Sequence, residues 1–286
     1  MPNEYKLLDS GNLQKLEQVG PYRLVRPALN AFWSPTLDKS EWNNVSGIFT
    51  RNSSGGGKWD WRERLPEAWD VTYGGLTLEC KPTNFGHLGF FAEQLDNWNW
   101  LRSIVRQFSK SVEDVQVLNL FAYSGLASMA AAEGGASVCH LDAAKGMIDW
   151  GRAIQQKNPQ VPDSIRWIAD DVMKFTTREL RRGRSYNGII LDPPSFGRGS
   201  RGEVWKIEDD IRNLLQNCRE LLAKNQPNFI LLSCHSPGFS PMVLERLLVD
   251  LLDGRGRTEG GEMTVSEAGG RRCLPAGCYA KLIIDE

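Results

Sequence analysis

The chain has 286 residues, 41% of them hydrophobic and 24% charged, with a formal net charge of −1, which is an ordinary globular composition. No basic-then-apolar leader opens the chain and no window reaches the ~18 apolar residues of a membrane helix, so we expect a soluble, cytoplasmic protein without membrane contact. The six cysteines and three histidines show neither a C-x-x-C pair nor a zinc-ligand spacing, which argues against a metal site.

The amino-terminal part of the chain, residues 1–90, is predicted to be a small β-rich domain. Short strands such as Tyr22–Arg26 and Leu76–Lys81 alternate here with turn residues. Seven of the ten tryptophans lie between Trp33 and Trp100. We interpret them as packing of the β layer, and the stacking of nucleic-acid bases stays open as the alternative. In either case this region is the expected substrate-binding part.

Residues 91–286 are predicted to form an α/β domain, because strands and helices alternate from residue 115 onwards. Such alternation indicates a parallel sheet covered by helices on both faces. The central strands are expected at 115–121, 137–142, 165–170, 186–192 and 229–234, the helices at 124–133, 144–157, 172–182, 206–223 and 242–252, and the closing strands at 262–267 and 279–284. In an open parallel sheet the ligand lies beyond the carboxyl ends of the strands, so the residues that follow each strand are the candidate site.

The turn after the first strand reads Asn119-Leu120-Phe121-Ala122-Tyr123-Ser124-Gly125. It leads into a helix whose first amides have no partner within the helix and can face a carboxylate. A dinucleotide-binding turn would read G-x-G-x-x-G, whereas only Gly125 is present, which argues against a nicotinamide or flavin dinucleotide.

Acidic residues follow the second and third strands. Asp142, with Ala143 behind it, can accept hydrogen bonds from ribose hydroxyls or cap the next helix, and the residue pattern leaves both open. After the third strand, one of Asp170 and Asp171 can accept from an adenine amino group while the other caps the helix. We favour Asp171 for adenine, because the apolar Val172 follows it.

The fourth strand ends in Asp192-Pro193-Pro194-Ser195-Phe196, the most specific motif of the chain. Proline lacks an amide hydrogen and fixes φ, so successive prolines leave their carbonyls free for a substrate amino group, while Phe196 offers a face to a planar base. The loop that follows adds arginines, which suit phosphates. The residues expected to act in catalysis are Asp192, Pro193 and Pro194, and those expected to bind substrate are Ser195, Phe196, Arg198 and Arg201.

From Tyr5 to its end the chain resembles the class I S-adenosylmethionine-dependent methyltransferases related to the bacterial 23S ribosomal RNA 5-methylcytosine methyltransferases. The resemblance rests on three segments in this order: 89–97 (GFFAEQLDN), 118–125 (LNLFAYSG) and 191–196 (LDPPSF). It implies a Rossmann-like fold with a mostly parallel seven-stranded sheet, S-adenosylmethionine as cofactor and ribosomal RNA as partner. The cofactor-binding residues, those from the strand ends included, are then Phe91, Gln94, Asn119, Phe121, Ala122, Tyr123, Ser124, Gly125, Asp142, Ala143, Asp170, Asp171 and Asp192.

In that family the turn at 121–125 holds the methionine part of the cofactor, and the resemblance assigns the ribose to Asp142 and the adenine to Asp171. The chain departs from the family pattern in two places. It has no amino-terminal PUA module, and it reads Leu88-Gly89-Phe90-Phe91 where threonine usually comes first. Without that module, the β-rich region would have to grip the RNA.

The fifth strand ends in Leu232-Ser233-Cys234-His235-Ser236, where the related enzymes have a cysteine flanked by serines. A thiolate that adds to carbon-6 of cytosine makes carbon-5 able to attack a methyl group. Our leading hypothesis is therefore methylation of cytosine carbon-5 in ribosomal RNA, with Cys234 as nucleophile and Asp192 steadying the ring nitrogen and amino group. His235, if still in the strand, points to the opposite face and is not assigned as a base.

Two other functions stay open. In the first, residues 192–196 orient a nitrogen of a base or another planar acceptor, which attacks the methyl group directly, and Cys234 is only a buried apolar residue. In the second, the chain binds the cofactor without catalysis and serves as an RNA-binding or assembly factor, against which the intact motif at 192–196 argues. The sequence sets neither the methylated atom nor the oligomeric state.

Overall fold

The computed structural model describes residues 3–52, 56–199, 202–252, 254–270 and 272–285. The chain forms two compact units. One consists of the chain up to Gln94 and Thr264–Ala276, and the other of Leu95–Met263 and the chain from Gly277 onwards. The boundary predicted from the sequence lies after residue 90, whereas the first unit runs four residues further and also includes Thr264–Ala276.

The first unit is β-rich. Its elements are β1 (Tyr5–Gly11), β2 (Gln14–Val19), β3 (Tyr22–Pro27), α1 (Lys39–Asn43), β4 (Gly47–Arg51), β5 (Gly57–Trp61), β6 (Trp69–Tyr73) and β7 (Leu76–Cys80). The first five strands form one sheet in chain order, and β6 and β7 form a separate antiparallel pair. Leu16, Val25 and Val45 make a small core against which Trp42 of α1 packs.

Buried ion pairs explain why a late segment of the chain belongs to this unit. Arg272 lies 2.8 Å from Asp9 and 3.0 Å from Glu267, whose side chains are both fully buried. The backbone amide of Ala268 also donates to the Leu7 carbonyl at 2.7 Å. Because a buried carboxylate is costly without a charged partner, Arg272 stabilises the first unit only when its own segment is in place.

The second unit alternates helices and strands. Its elements are α2 (Leu95–Phe108), β8 (Gln116–Leu120), α3 (Leu126–Glu133), β9 (Ser137–Asp142), α4 (Lys145–Gln156), β10 (Ile165–Ala169), α5 (Val172–Arg181), β11 (Gly188–Leu191), β12 (Phe196–Arg198), β13 (Val204–Lys206), α6 (Ile207–Leu221), β14 (Asn228–Cys234), α7 (Pro241–Leu251), and the larger parts of β15 (Arg257–Ser266) and β16 (Cys273–Ile284). Residues 264–266 of β15 and 273–276 of β16 belong to the first unit.

The main sheet has seven strands in the order β10-β9-β8-β11-β14-β16-β15. The first five are parallel to their neighbours and β16 is antiparallel to β14, so the predicted α/β fold with a mostly parallel seven-stranded sheet is confirmed. β11 and β14 are buried along their whole length, as strands covered on both faces must be. The chain runs outwards from β8 to β10 and then returns to β11 beside β8, which makes the point between β8 and β11 the topological switch point of the sheet.

Some elements of the second unit differ from the sequence prediction. α2 was not predicted, although its buried residues Trp98, Leu101, Val105 and Phe108 have the spacing of one helix face. β12 and β13 form a hairpin where a loop was expected, because strands of three residues are too short for alternation to reveal them. None of the helices in the described ranges has the length and apolar character needed to span a membrane.

Candidate active site

The residues that the sequence singled out in the second unit follow strands that end side by side. In the sheet register, Leu120 pairs with both Leu141 and Leu191, Leu191 pairs with Leu232, and Asp142 pairs with Ala169. Adjacent strands lie about 4.8 Å apart, so the segments that follow these strands form one continuous row. The two innermost segments flank the switch point, where open parallel sheets bind ligands.

The turn after β8 has an unusual backbone. Phe121, Tyr123 and Gly125 have φ values of 55°, 51° and 90°, and residues with a β-carbon seldom occupy this region. A β-carbon on Gly125 would lie 2.7 Å from the Trp167 ring, so glycine is required there. The turn is held by a bond from the Ala122 amide to the Leu141 carbonyl at 3.0 Å. Backbone strain of this kind is typical of ligand-binding segments. The strained turn leads directly into the first turn of α3.

Asp142 is fixed by two backbone amides. Tyr123 N donates to Oδ2 at 2.9 Å and Ala144 N donates to Oδ1 at 2.8 Å. Burial raises the pKa of the Asp142 carboxyl, and these two hydrogen bonds oppose that rise. A carboxylate has about four acceptor positions, so it can still accept from a ribose diol. Asp142 therefore contacts both the turn after β8 and the residue that precedes α4, but the N-cap of α4 is Ala144 and not Asp142. The contact of Asp142 with a ribose stays a prediction. Ala143, which follows Asp142, is half-buried.

A buried polar chain lies beneath the same turn. Asn119 Nδ2 donates to Ser128 Oγ at 2.9 Å, and Ser128 Oγ lies 3.0 Å from His140 Nδ1. The Asn119 side chain is therefore bonded to α3, and its contact with the cofactor stays a prediction. Burial lowers the pKa of His140 to about 3, so the imidazole is neutral at physiological pH. These hydrogen bonds connect β8, α3 and β9 below the strained residues.

The acidic pair after β10 is arranged differently from the prediction. Asp171 is the residue that caps α5, with Oδ1 accepting from Lys174 N at 2.9 Å. Asp170 accepts from Asp171 N at 2.9 Å and forms an ion pair with Arg178. The assignment of capping to Asp170 was thus wrong, because the residue immediately before the helix has the geometry of an N-cap. Capping uses one carboxylate oxygen of Asp171, which is compatible with a contact to adenine through the other.

The motif after β11 forms the other side of the switch point. Asp192 Oδ1 lies 3.4 Å from His235 Nδ1, and both side chains are partly exposed. Ser195 Oγ and Ser236 Oγ are hydrogen-bonded at 2.8 Å. The Pro194 carbonyl accepts from Trp205 Nε1 at 2.8 Å, so the expectation that both proline carbonyls are free is wrong for Pro194. Its partner comes from β13, which the sequence did not predict.

The β12–β13 hairpin has two different faces. Trp205 points inwards, is 6% exposed, and its ring centroid lies 4.8 Å from that of Phe121. Phe196 is 52% exposed, and the Arg198 guanidinium carbon lies 5.8 Å from its ring centroid. The inner face therefore fastens the hairpin to the turn after β8, while the outer face presents an aromatic ring and a cation. Arg201 lies outside the described residues.

Cys234 is the last residue of β14 and is 1% exposed within the hydrophobic core. Burial raises the pKa of its thiol, and the hydrogen bond that its sulfur accepts from Ser236 N at 3.4 Å only partly offsets this effect. The thiol is thus held in its neutral form, whereas attack requires the thiolate.

Sequence reasoning missed His235 and Trp205. His235 was set aside on the condition that it continues the strand, but β14 ends at Cys234 and the imidazole turns towards Asp192. Trp205 was placed one residue before a helix, and the glycines at 197, 199 and 202 were the signal for a hairpin. Both residues contact the motif at 192–196, which sequence distance alone does not reveal.

Phe91 and Gln94 lie in the first unit, at the short 3-10 helix Ala92–Gln94. Gln94 is buried, and the Phe91 ring lies 5.3 Å from that of His87. Their contact with a cofactor stays a prediction. Among the residues that the structure describes, no group of three or more His, Cys, Asp and Glu side chains could hold a metal ion.

The chain is similar to a protein family and to several proteins of known sequence. The model of the S-adenosylmethionine-dependent methyltransferase family matches residues 49–248. Ribosomal RNA large subunit methyltransferase K/L of Vibrio cholerae is 30% identical over 119 residues, which are 41% of this chain and 16% of that protein. Ribosomal RNA large subunit methyltransferase K of Neisseria meningitidis is 25% identical over 126 residues, 43% of this chain and 36% of that protein. The match thus spans well under two thirds of these relatives.

Solved structures extend the comparison to nearly the whole chain. The SAM-dependent methyltransferase from Agrobacterium tumefaciens has a TM-score of 0.90 and 37% identity, covering 98% of this chain and 90% of that one. A Streptococcus mutans protein described as a SAM-dependent methyltransferase has a TM-score of 0.71 at 18% identity, covering 98% of this chain and 75% of that one. At the lower identity the likeness concerns the fold alone.

Proposed function

The chain belongs to the S-adenosylmethionine-dependent methyltransferase family, and we propose that it methylates a nitrogen of a base in ribosomal RNA. The observation that carries the proposal is the switch point, where a strained turn and the Asp142 carboxylate lie on one side and the motif at 192–196 on the other. Cytoplasmic location is a further expectation from the sequence.

The residues fit S-adenosylmethionine. Asp142 is preorganised by two amides and keeps acceptor positions for the ribose, and Asp171 follows the neighbouring strand on the side expected for adenine. The strained turn at 121–125 brings amides of α3 near the same point, where they suit the methionine carboxylate. When bound, the cofactor supplies a methyl group on a cationic sulfur. Phe91 and Gln94 stay predicted cofactor contacts, as the family resemblance implies.

On the acceptor side, Asp192 and Pro193 suit an amino group. The carboxylate of Asp192 and the Pro193 carbonyl can accept N–H bonds, which leave the nitrogen lone pair free for the attack. The attacking nitrogen would form a bond to the methyl carbon as the carbon–sulfur bond of the cofactor breaks, and it must lose a proton, for which Asp192 is the adjacent acceptor. His235, with Nδ1 at 3.4 Å from Asp192 Oδ1, can relay that proton to solvent. Phe196 supplies a face for the base.

Transfer to carbon-5 of cytosine is the second candidate, since Cys234 lies at the end of the strand beside that of Asp192. Its burial at 1% exposure and its raised thiol pKa weigh against it. A thiolate there would have to form in the hydrophobic core next to the Asp192 carboxylate, which further opposes ionisation. Methylation of a nitrogen would use the other residues of the site and would not require the Cys234 thiol to ionise.

Two observations support ribosomal RNA as the acceptor. The relatives from Vibrio cholerae and Neisseria meningitidis are named as ribosomal RNA methyltransferases. The outer face of the β12–β13 hairpin also carries Phe196 and Arg198, an aromatic ring for a base beside a cation for phosphate. A base in duplex RNA would have to flip out to reach this point.

The test incubates the purified chain with labelled S-adenosylmethionine and ribosomal RNA and identifies the methylated nucleoside by mass spectrometry. We expect label on a base nitrogen and full transfer by Cys234→Ala. Cys218→Ala is the matched control, because Cys218 is another fully buried cysteine, on α6. Label in 5-methylcytosine that disappears only in Cys234→Ala would support the carbon-5 route instead. Cofactor binding without any transfer would support an inactive assembly factor.

A further inference from the structure

Two tryptophans at the edge of the first unit are arranged unlike the others in that unit. Trp33 Nε1 donates to the Ser10 carbonyl and Trp69 Nε1 to the Val19 carbonyl, both at 3.0 Å, which is ordinary packing. Trp59 and Trp61 instead stack face to face, with ring centroids 4.5 Å apart and planes at 7°. They lie on β5, the last strand of the sheet, and Trp61 is 37% exposed.

The position of this pair is set by its neighbours. Trp59 is anchored through Nε1, which donates to the Thr83 carbonyl at 2.9 Å. Gly47 lies opposite Trp61 in the register, and a β-carbon at residue 47 would come within 2.3 Å of the Trp61 ring. The Trp61 ring therefore occupies space that a side chain at residue 47 would fill. Its position is set by this neighbour although the ring remains exposed.

One cation, Arg51, lies on the same face of the sheet as the tryptophan pair, and two more follow the strand. In the register, Arg51 lies opposite Gly57 and Phe49 lies opposite Trp59. Because side chains two positions apart on a strand share a face, Arg51 points to the same face as the tryptophans. Arg62 and Arg64 follow the strand and are exposed, and the Arg62 guanidinium donates to the Asn43 carbonyl.

Over residues 47–64 the sequence has four basic and two acidic side chains. Lys58 and Asp60, one base and one acid, both alternate with the tryptophans and point to the opposite face. Within β4 and β5 the tryptophan face therefore carries the cation Arg51 and no acidic side chain, next to exposed aromatic surface.

We propose that the Trp59–Trp61 pair is a stacking platform for single-stranded RNA, with a base on Trp61 and phosphates on Arg51, Arg62 and Arg64. Aromatic rings beside cations are the combination that binds single strands, because every base has a π-face and every linkage a phosphate. An apolar protein segment would use the rings but not the cations. The inference deepens the proposed function, on which it rests for the class of partner, and it assigns the grip on RNA to the first unit.

The test measures binding of a labelled twelve-nucleotide oligouridine to the full chain by fluorescence anisotropy. We expect Trp61→Ala to weaken binding about tenfold, and Trp61→Phe, which keeps a stacking ring, to restore most of the affinity. Gly47→Ala should also weaken binding, because it displaces the ring without removing it. Phe32→Ala is the matched control, since Phe32 is an aromatic residue of the same unit that is 82% exposed. Arg51→Ala should reduce the salt dependence of binding.

Thermal unfolding of each variant separates a lost contact from a lost fold. The proposal is overturned if Trp61→Ala binds like the wild type, if Phe32→Ala weakens binding equally, or if Trp61→Phe fails to restore it in a folded chain. Methyl transfer is measured separately, so the two ideas fail separately. If the chain transfers methyl groups to RNA but Trp61→Ala binds RNA like the wild type, only the proposed stacking platform is refuted. If Trp61→Ala loses RNA binding but the wild-type chain shows no methyl transfer, only the proposed methylation is refuted.

Discussion

Asp142→Ala is the most direct test of the cofactor site. The substitution removes a carboxylate that accepts from Tyr123 N at 2.9 Å and Ala144 N at 2.8 Å and that we propose for the ribose diol. Because the substitution also removes these two backbone bonds, cofactor affinity and stability have to be measured separately.

The expected magnitude follows from the bonds that are lost. A hydrogen bond to a charged group contributes about 1.5–3 kcal/mol, so two ribose hydroxyls contribute about 3–6 kcal/mol. Since each 1.4 kcal/mol is a factor of about ten, affinity for S-adenosylmethionine should fall roughly 10²- to 10⁴-fold. The free energy of unfolding should change less, because the two lost amide bonds are partly offset by removal of a carboxylate whose burial raises its pKa.

Isothermal titration calorimetry measures the affinity, and urea unfolding measures the stability. Asp149→Ala is the control, because Asp149 is an exposed acid on α4, close in sequence to Asp142. The reasoning is refuted if Asp142→Ala binds the cofactor within about threefold of the wild type, or if Asp149→Ala loses as much affinity. Equal losses would mean that general negative charge, and not the fixed carboxylate, attracts the cofactor.

Further predictions concern buried groups of the second unit. The pKa of His140 is lowered to about 3 from 6.5, so the unfolded chain takes up a proton that the folded chain does not, and stability should fall as the pH drops from 6.5 towards 3. Between pH 6.5 and 4 the loss is roughly 3 kcal/mol, and His140→Gln should flatten it in urea unfolding across pH; an equal slope in the variant would contradict this. Trp205→Phe should cost about 1 kcal/mol for the bond to Pro194, and Trp205→Ala about 3–5 kcal/mol for the cavity at Phe121. Equal unfolding energies for the two Trp205 variants would show that its ring does not support the hairpin.

The local pattern of the chain was enough for much of the second unit. Strands and helices were expected near their observed bounds because apolar runs, alternation and turn residues are properties of neighbouring residues. β9, for example, spans Ser137–Asp142, as expected. The rule that parallel strands end together then predicts Asp142 and Asp192 in one row at the edge of the sheet. The register of the sheet shows that these strands do end side by side.

The prediction failed where a residue depends on a partner far along the chain. The Pro194 carbonyl is bonded to Trp205, and His235 turns towards Asp192. The first unit also includes Thr264–Ala276, because Arg272 pairs there with the buried Asp9. No pattern within a short window contains these pairs.

The sequence by itself determined the class of fold, the edge of the sheet that carries the candidate site and the acidic residues along it, since periodicity and strand order are local and repetitive. Tertiary structure alone decided that Cys234 is buried, that the Trp205 ring fastens a hairpin to Phe121 and that Trp61 stays exposed. The physical reason is that the burial of a side chain, and with it the pKa of a thiol or the reach of a ring, depends on which distant segments pack against it.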